Sequence, residues 1–460
     1  MRCSQHRSTN DAEPHAHRGK VQSRSVKHAR FLAGALVLLL AISACAARDG
    51  DEIGGAPIFN GTTPDGQTVE PPITTLPAPQ VNAIRVPVDA QTIQEAVDLA
   101  QPGDLILIEP GSYFEQVVIT QPDIVVRGRD RNSVFVDGSH QLDVGISVLA
   151  DGVALENLTI RNYVSDAISV EAGDDAVPRD GFRALHVTTS NSGDSGIALR
   201  NTQNAEIRQG WFSGHGTAGV TVTGCTDCAT LITTSLAEFN ARGFWVQGAT
   251  NGVSIFASTS RNNRTGIVVD DGADAPTAGA IIAGSLIQNN GFSQSPGNEN
   301  QEWENLYGVG VHIGGTVDSS VSANRIEGNL RAGVLLSPNV DQTSDDPIAT
   351  RVERNITGGH PEGDVVLASR DGVVDPGLCI ANNSGANVAP PGAAEAATCS
   401  NTSTAPPLLA WTGEPRPSIP HQNVAVPPII DGMGDADTAA PIPAGPVTLP
   451  DPTTAVAPGS

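Results

Sequence analysis

The chain repeats one five-residue phrase eight times: VGISV (144–148), DAISV (166–170), SGIAL (195–199), AGVTV (218–222), RGFWV (242–246), TGIVV (265–269), YGVGV (307–311) and AGVLL (332–336). Most spacings between phrases are 22 to 29 residues, and one is 42. The second position is Gly or Ala each time, and the third and fifth are apolar. Alternation of period two in so short a run predicts a strand with one buried face. Its return at a near-constant spacing, with turn residues between, predicts stacked coils of a few strands each.

A second apolar phrase precedes the first within a coil, as at Val153 to Ile160, Phe182 to Thr189, Ile281 to Ile287 and Val321 to Ile326. Asparagines stand between the two phrases: Asn162, Asn191, Asn240, Asn263, Asn290 and Asn329. Asn tolerates the left-handed backbone of a tight bend, and its amide can bond a like neighbour in a stack. Leucine-rich repeats would need a leucine framework and helical segments, which the chain lacks. The expected fold is all-β: a single-stranded parallel β-helix of about ten coils over residues 82–403. At one strand spacing per coil, it would be ~50 Å long. Thr92 to Ala100 reads as a short amphipathic helix with Thr92 and Glu95 spaced as a capping box, placed to cover the open end of the apolar stack.

The flanks read differently. Residues 1–30 are polar and basic, Phe31 to Ile42 are nearly all apolar, and Ile42-Ser43-Ala44-Cys45 follows. This order predicts a secretory signal over 1–44. Its apolar core is too short for a membrane span of roughly 20 residues. The basic lead is long for a signal, which points to initiation at Val21 or Val26. Residues 45–81 are rich in Gly, Thr, Pro and Asp and read as a flexible tether. Residues 404–460 are Pro-rich and read as a disordered tail, although Trp411 to Ile430 is apolar enough to lie against the body.

The net charge of the 460 residues is -24. Removing 1–44 takes away seven basic and two acidic residues and leaves -29. A chain so acidic is a poor partner for nucleic acid and for anionic lipid or polymer surfaces. Lysine occurs only at Lys20 and Lys27, so every later cation is arginine or histidine. Four cysteines follow Cys45, an even number that suggests two disulfides in an exported chain, Cys225 with Cys228 and Cys379 with Cys399. The competing reading of Cys225 and Cys228 is a redox or metal site with His215 nearby, but zinc wants four ligands and no second pair of this spacing exists.

If positions three and five of the phrase point inward, positions four and six point out. Position six reads Leu149, Glu171, Arg200, Thr223, Gln247, Asp270, His312 and Ser337, a polar row along the axis with Arg242 and Trp245 close to its middle. Two long loops flank it, 172–181 with Asp174, Asp175 and Asp180, and 291–306 with Trp303 and Glu304. Long loops on a rigid repeat often carry function. The candidate ligand-binding residues are therefore Glu171, Arg200, Arg242, Trp245, Gln247, Asp270 and His312. Candidate catalytic residues are Arg200 as a base beside Glu171 and Asp270. No metal ligand set is assigned; calcium between Glu171 and Asp270 is the one ion the pattern admits, and six to eight oxygens cannot be assembled for it.

The ending Ile42-Ser43-Ala44-Cys45 resembles a bacterial lipobox, which implies that Cys45 is lipidated. TIQEAVDLAQPGDLILIEPGSYFEQVVI (92–119) resembles the opening segment of bacterial carbohydrate-related β-helix proteins, a group that includes pectin methylesterases and the periplasmic maturation factor of nitrous oxide reductase. DGFRALHVTTSNSGDSGIAL (180–199) and SGHGTAGVTVTGCTDCATLITTSLAEFNARG (213–243) resemble an uncharacterised family of exported β-helix proteins within the pectate-lyase-like superfamily. The resemblance covers roughly 84–400 and implies a right-handed helix. It does not carry over a catalytic set. Asp174-Asp175 and Ser213-Gly214-His215-Gly216 echo polygalacturonase motifs, whose Asn-Thr-Asp and Arg-x-Lys are absent. Pro110 to Glu115 matches an early pectin methylesterase motif, whose catalytic Gln and Asp segments do not follow. The Asp-Pro-His-Asp of alginate epimerases is missing, and lysine-base lyases lack their lysine. The reading that follows is a lipid-anchored scaffold of the bacterial cell envelope that binds a polysaccharide or envelope protein without turnover. A polysaccharide lyase using Arg200, and an accessory protein for metal-enzyme maturation, are the alternatives.

Overall fold

A computed structural model describes residues 83–459, apart from 173–176, 273–275, 298–300, 340–345, 371–373, 375–376, 400–410, 415, 435, 437–438 and 440–445. The expected signal, Cys45 and the tether lie outside the described residues, as do Asp174 and Asp175. The strands form three long parallel sheets of twelve, ten and eleven strands, and each coil visits them in that order. Ten complete coils are present among the described residues, one per strand of the ten-stranded sheet.

The repeated phrase is the strand of the eleven-stranded sheet. Its third positions lie side by side from coil to coil: Ile146, Ile168, Ile197, Val220, Phe244, Ile267, Val311, Val334 and Val365. These side chains and the fifth-position Val148, Val170, Leu199, Val222, Val246, Val269, Ile313 and Leu336 are buried in one continuous apolar cluster. The register corrects one phrase. Val311 pairs with Ile267 and His312 with Val268, so the repeat there is VGVHI (309–313), two residues later than expected. A slip of two keeps each side chain on its face, which is why the alternation alone did not reveal it. His312 therefore belongs to position four, and Gly314 takes its place in the position-six row.

The helix Ile93–Leu99 closes the first end, with Ile93, Ala96 and Val97 buried in the same cluster. Thr92 accepts from the Glu95 backbone as the capping box requires, while Glu95 bonds the backbone of Gln91. Glu115 of the PGSYFE segment takes the Ile93 and Gln94 amides, 3.1 Å each, so that motif has a structural role here. At the other end the short helix Ala393–Ala396 packs beside the last coil, and Ala393 is buried.

The corners carry the hydrogen-bond accounting. Between the ten- and eleven-stranded sheets, the Asn240 backbone N–H and Nδ2 both donate to Asn263 Oδ1, at 2.9 and 3.0 Å. Asn263 does the same to Asn290, and Asn290 to Asn329. His215 extends the ladder below, its N–H donating to Asn240 Oδ1, and His360 extends it above by meeting Asn329 Nδ2 at 3.1 Å. Asn162 and Asn191 are not rungs. They occupy the preceding residue, with φ of 63° and 57°, and make the left-handed bend. A second ladder joins the twelve- and ten-stranded sheets: Ser235, Ser258, Ser285, Asn324, Asn355 and Asn383.

Both disulfides are present, Cys225–Cys228 and Cys379–Cys399. The first closes the turn after strand Ala218–Thr223, and the second ties the last coil to the segment after its helix. His215 lies at the opposite end of the Ala218–Thr223 strand from Cys225, bonded to Thr189, which removes the metal reading of that pair. Two disulfides fit an oxidising, extracytoplasmic compartment. No helix among the described residues is long and apolar enough to cross a membrane.

The tail is the main departure from expectation. Its described residues lie against the body as a strap. Arg331 and Arg264 donate to the carbonyls of Thr412, Arg416 and Pro417. Asn191 donates to His421 and Val424. Arg131 and Arg127 donate to the carbonyls of Asp431, Ala436 and Ala439 near the first coils. The chain then returns, and Arg354 and Arg325 donate to Pro452, Thr453, Ala455, Pro458 and Gly459. Proline removes backbone donors but leaves carbonyls free. The strap is held by hydrogen bonds to arginines and asparagines of the body, with Trp411 and Ala455 packed on apolar clusters.

Two outcomes are expected. His215 is buried and neutral, and burial pushes its pKa down to about 3. Its unfolded value is near 6.5, so stability is full above that value and falls by about 1.4 kcal/mol per pH unit as pH drops toward the folded value. His215→Asn keeps a rung without the titration. Urea unfolding should show it within about 1 kcal/mol of the parent near pH 7 and about 2 to 3 kcal/mol more stable than the parent near pH 4.5. Parallel pH profiles would count against this. Deleting residues 411–460 should lower the calorimetric midpoint by on the order of 5 °C; an unchanged midpoint would show that the strap contributes nothing.

Candidate functional site

The insertion 291–306 leaves the corner before strand Val309–Gly314 and folds onto the outer face of the eleven-stranded sheet. Its short helix Gln301–Glu304 presents Glu304 to Arg264, whose guanidinium engages both carboxylate oxygens in a buried pair. Arg264 also stacks on Tyr307, 4.7 Å to the ring centroid, and holds the strap at Arg416 and Pro417. One arginine thus joins coil, insertion and strap. Behind it, Val268, Leu306, Val309, Ala332, Leu335 and Val366 form a second apolar cluster with Trp245, Trp303 and Trp411 packed against it. The expected open polar groove is therefore covered over its later coils.

Where the insertion ends on the sheet, a cleft of about 480 Å³ remains. Its walls are the corner residues Gly193, Asp194, Gly216 and Thr217, the insertion residues Pro296, Gly297 and Trp303, and strap residues Ser418 to His421, with Arg242 also lining it. Arg242 packs against two indoles, 4.4 Å from the Trp245 centroid and 4.2 Å from that of Trp303. The two rings meet edge to face at 5.3 Å. Arg242 is 5% exposed, and its Nε and Nη1 find no hydrogen-bond partner among the described residues; the same holds for Trp245 Nε1. Burial pulls the Arg242 guanidinium down to about 9, and the Asp270 carboxylate pushes it back up, so it is a cation at neutral pH. Stacking on two aromatic faces offsets part of the desolvation, by about 2 kcal/mol per well-placed face.

The sequence candidates divide into separate groups. Arg242 and Trp245 meet Trp303 at the cleft. Glu171 and Arg200 are neighbours in register, but Arg200 donates to Asp166 at 2.6 Å and Ser169 at 2.9 Å, a half-exposed ion pair on another part of the sheet. Two guanidinium N–H groups are thereby committed. Gln247 donates to the Asp271 carbonyl, and Asp270 beside it is buried. Glu171 and Asp270 stand four strand steps apart in the same row, ~19 Å, too far to share calcium. The described residues bring together no three His, Cys, Asp or Glu side chains fit for a metal ion. His312 is buried, bonded to Ser337 at 2.9 Å, and burial pushes its pKa down to about 4. Asp194, Thr217, Ser418 and His421 were missed. The corner pair precedes the repeated phrase, and the strap pair sits in a segment with no periodicity.

Residues 144–298 match the protein-family profile described as right handed beta helix region, so the hand is right. No curated protein matches the sequence. Among solved structures, a mannuronic acid specific polysaccharide family 6 lyase from human gut microbiota is similar at 14% identity and a TM-score of 0.42, over 64% of this chain and 78% of that one. An alginate lyase from Paenibacillus is similar at 14% identity and 0.39, over 67% and 95%. A periplasmic alginate epimerase is similar at 10% identity and 0.38, over 66% and 81%.

Asp270 is buried and acts on Arg242, so removing the cation alone leaves a buried carboxylate without that countercharge. Arg242→Met should cost about 3 kcal/mol in urea unfolding, and adding Asp270→Asn should recover much of the loss. Equal stabilities of all three proteins would show that the two charges are not coupled.

Proposed function

We propose that this right-handed parallel β-helix is a glycan-binding scaffold of the bacterial cell envelope, exported by its leader and anchored through lipidated Cys45, and that it binds its ligand without turnover. The observation that carries the reading is the cleft itself. It combines an aromatic wall at Trp303, polar corner residues and an arginine with donors to spare, the mixture expected where a few polar groups orient a ring stacked on an indole. The Cys225–Cys228 and Cys379–Cys399 disulfides support export. The commitment of Arg200 to Asp166 and Ser169 favours binding over a lyase that uses Arg200 as base.

A glycan array probed with the mature chain tests the reading. Binding should survive Arg200→Ala and fall at least about tenfold with Trp303→Ala, as loss of a base-like or sugar-like stacking platform costs about 1–3 kcal/mol. Incubation with acidic polymers should give no ultraviolet signal of unsaturated uronate. Its appearance, and its loss with Arg200→Ala, would establish the lyase instead. Cys45→Ser should release the protein from the membrane fraction; retention would refute the lipid anchor.

A further inference from the structure

The cleft holds an arginine whose donors are not all used. Arg242 Nε and Nη1 are buried without a hydrogen-bond partner among the described residues, as are Nε1 of the adjoining Trp245 and Nε2 of the cleft residue His421. The Arg242 guanidinium lies within van der Waals reach of both the Trp245 and the Trp303 indoles, whose rings meet edge to face at 5.3 Å beside it. The two rings hold the planar fork still. Buried polar groups in folded proteins find partners, and a cluster of like groups that does not is where an external partner fits. Two guanidinium donors ask for an acceptor with more than one lone-pair oxygen.

Other charges narrow the class. Asp194 lines the same cleft and Asp270 acts electrostatically on Arg242, so the local field is one cation facing two carboxylates. A dianion would be repelled more than a monoanion. A carboxylate is planar, carries one charge and matches the guanidinium fork in two-point contact. The shape sets a further limit. Corner, insertion and strap wall the cleft on three sides, and its volume suits one or two ring units rather than a polymer passing through. The strap contributes Ser418 to His421, so the site is complete only when the tail is docked.

We infer that this cleft is a terminal-unit site for an acidic sugar, in which Arg242 receives the carboxylate and Trp303 flanks the ring, with the C-terminal strap as its third wall. The inference rests on the cleft being a glycan site and adds the charge, the end-on mode and the need for the strap.

The test uses the mature full-length chain in thermal-shift and calorimetric titrations. The probes are glucuronic and galacturonic acid, their carboxyl-reduced sugars, a short oligouronate, a sulfated monosaccharide and inorganic sulfate. The acidic sugars should raise the unfolding midpoint and bind at least about tenfold more tightly than the carboxyl-reduced forms, the loss typical of one charge-assisted pair. Arg242→Met combined with Asp270→Asn should abolish that preference while leaving the protein folded, and Asp194→Asn should strengthen acidic-sugar binding. Deletion of residues 411–460 should weaken it. An oligouronate should bind with one site per chain end. Equal binding of acidic and carboxyl-reduced sugars, or a preference that survives the double substitution, would overturn the inference yet leave a glycan site standing. A response to inorganic sulfate or the sulfated sugar equal to that of the uronates would make this a general anion site, not a carboxylate site. Binding of neutral glycans alone would also overturn the inference, and no binding of any sugar would remove both readings.

Discussion

Everything in this molecule depends on parallel stacking at a fixed pitch. When every strand lies one spacing above its predecessor, each residue faces its counterpart one coil away, and the corner residues cannot escape the same rule. A corner buried between two sheets has backbone N–H groups with no strand partner, and leaving one unpaired costs about 1–3 kcal/mol. The asparagine and serine ladders meet that demand, each side-chain oxygen taking the N–H of the coil below. Because each rung serves its neighbour, the ladders also fix which residues align, and with them the rows from which any surface site is built.

The body was readable because a stacked fold writes its pitch into the sequence. Period-two alternation and near-constant spacing located the eleven-stranded sheet, and a left-handed bend or an amide rung was a sound expectation for every asparagine. The sequence could not distinguish the two roles, since Asn191 and Asn240 differ by one position relative to the bend. The insertion before Val309 hid a two-residue slip, because an even shift leaves the alternation unchanged. The serine rungs escaped notice because Ser235, Ser258 and Ser285 are ordinary residues in a turn.

The site was legible only in fragments. Arg242 and Trp245 share a strand with the repeat and could be placed on it. Trp303 was visible as an aromatic in a long loop, but its approach to Arg242 depends on Glu304 docking on Arg264, a contact across some forty residues. Trp411 to Ile430 is apolar enough to be placed against the body, but the rest of the tail has no periodic core pattern and reads as unordered. What orders it is written in the body, in arginines that lie far away in sequence and whose guanidinium groups donate to any carbonyl at the right distance. Binding written in one segment about another is what a single-chain reading sees least.

The choice of arginine has a chemical consequence beyond geometry. Lysine is confined to Lys20 and Lys27, within the expected leader, so no side chain of the body carries a primary amine. A protonated guanidinium is a poor nucleophile toward aldehydes at neutral pH, whereas a lysine amine condenses with them. A protein working among the reducing ends of sugars would accumulate covalent adducts on lysines over its lifetime. This one presents cations that hold carbonyls and carboxylates by hydrogen bonds while offering sugar aldehydes no amine to condense with.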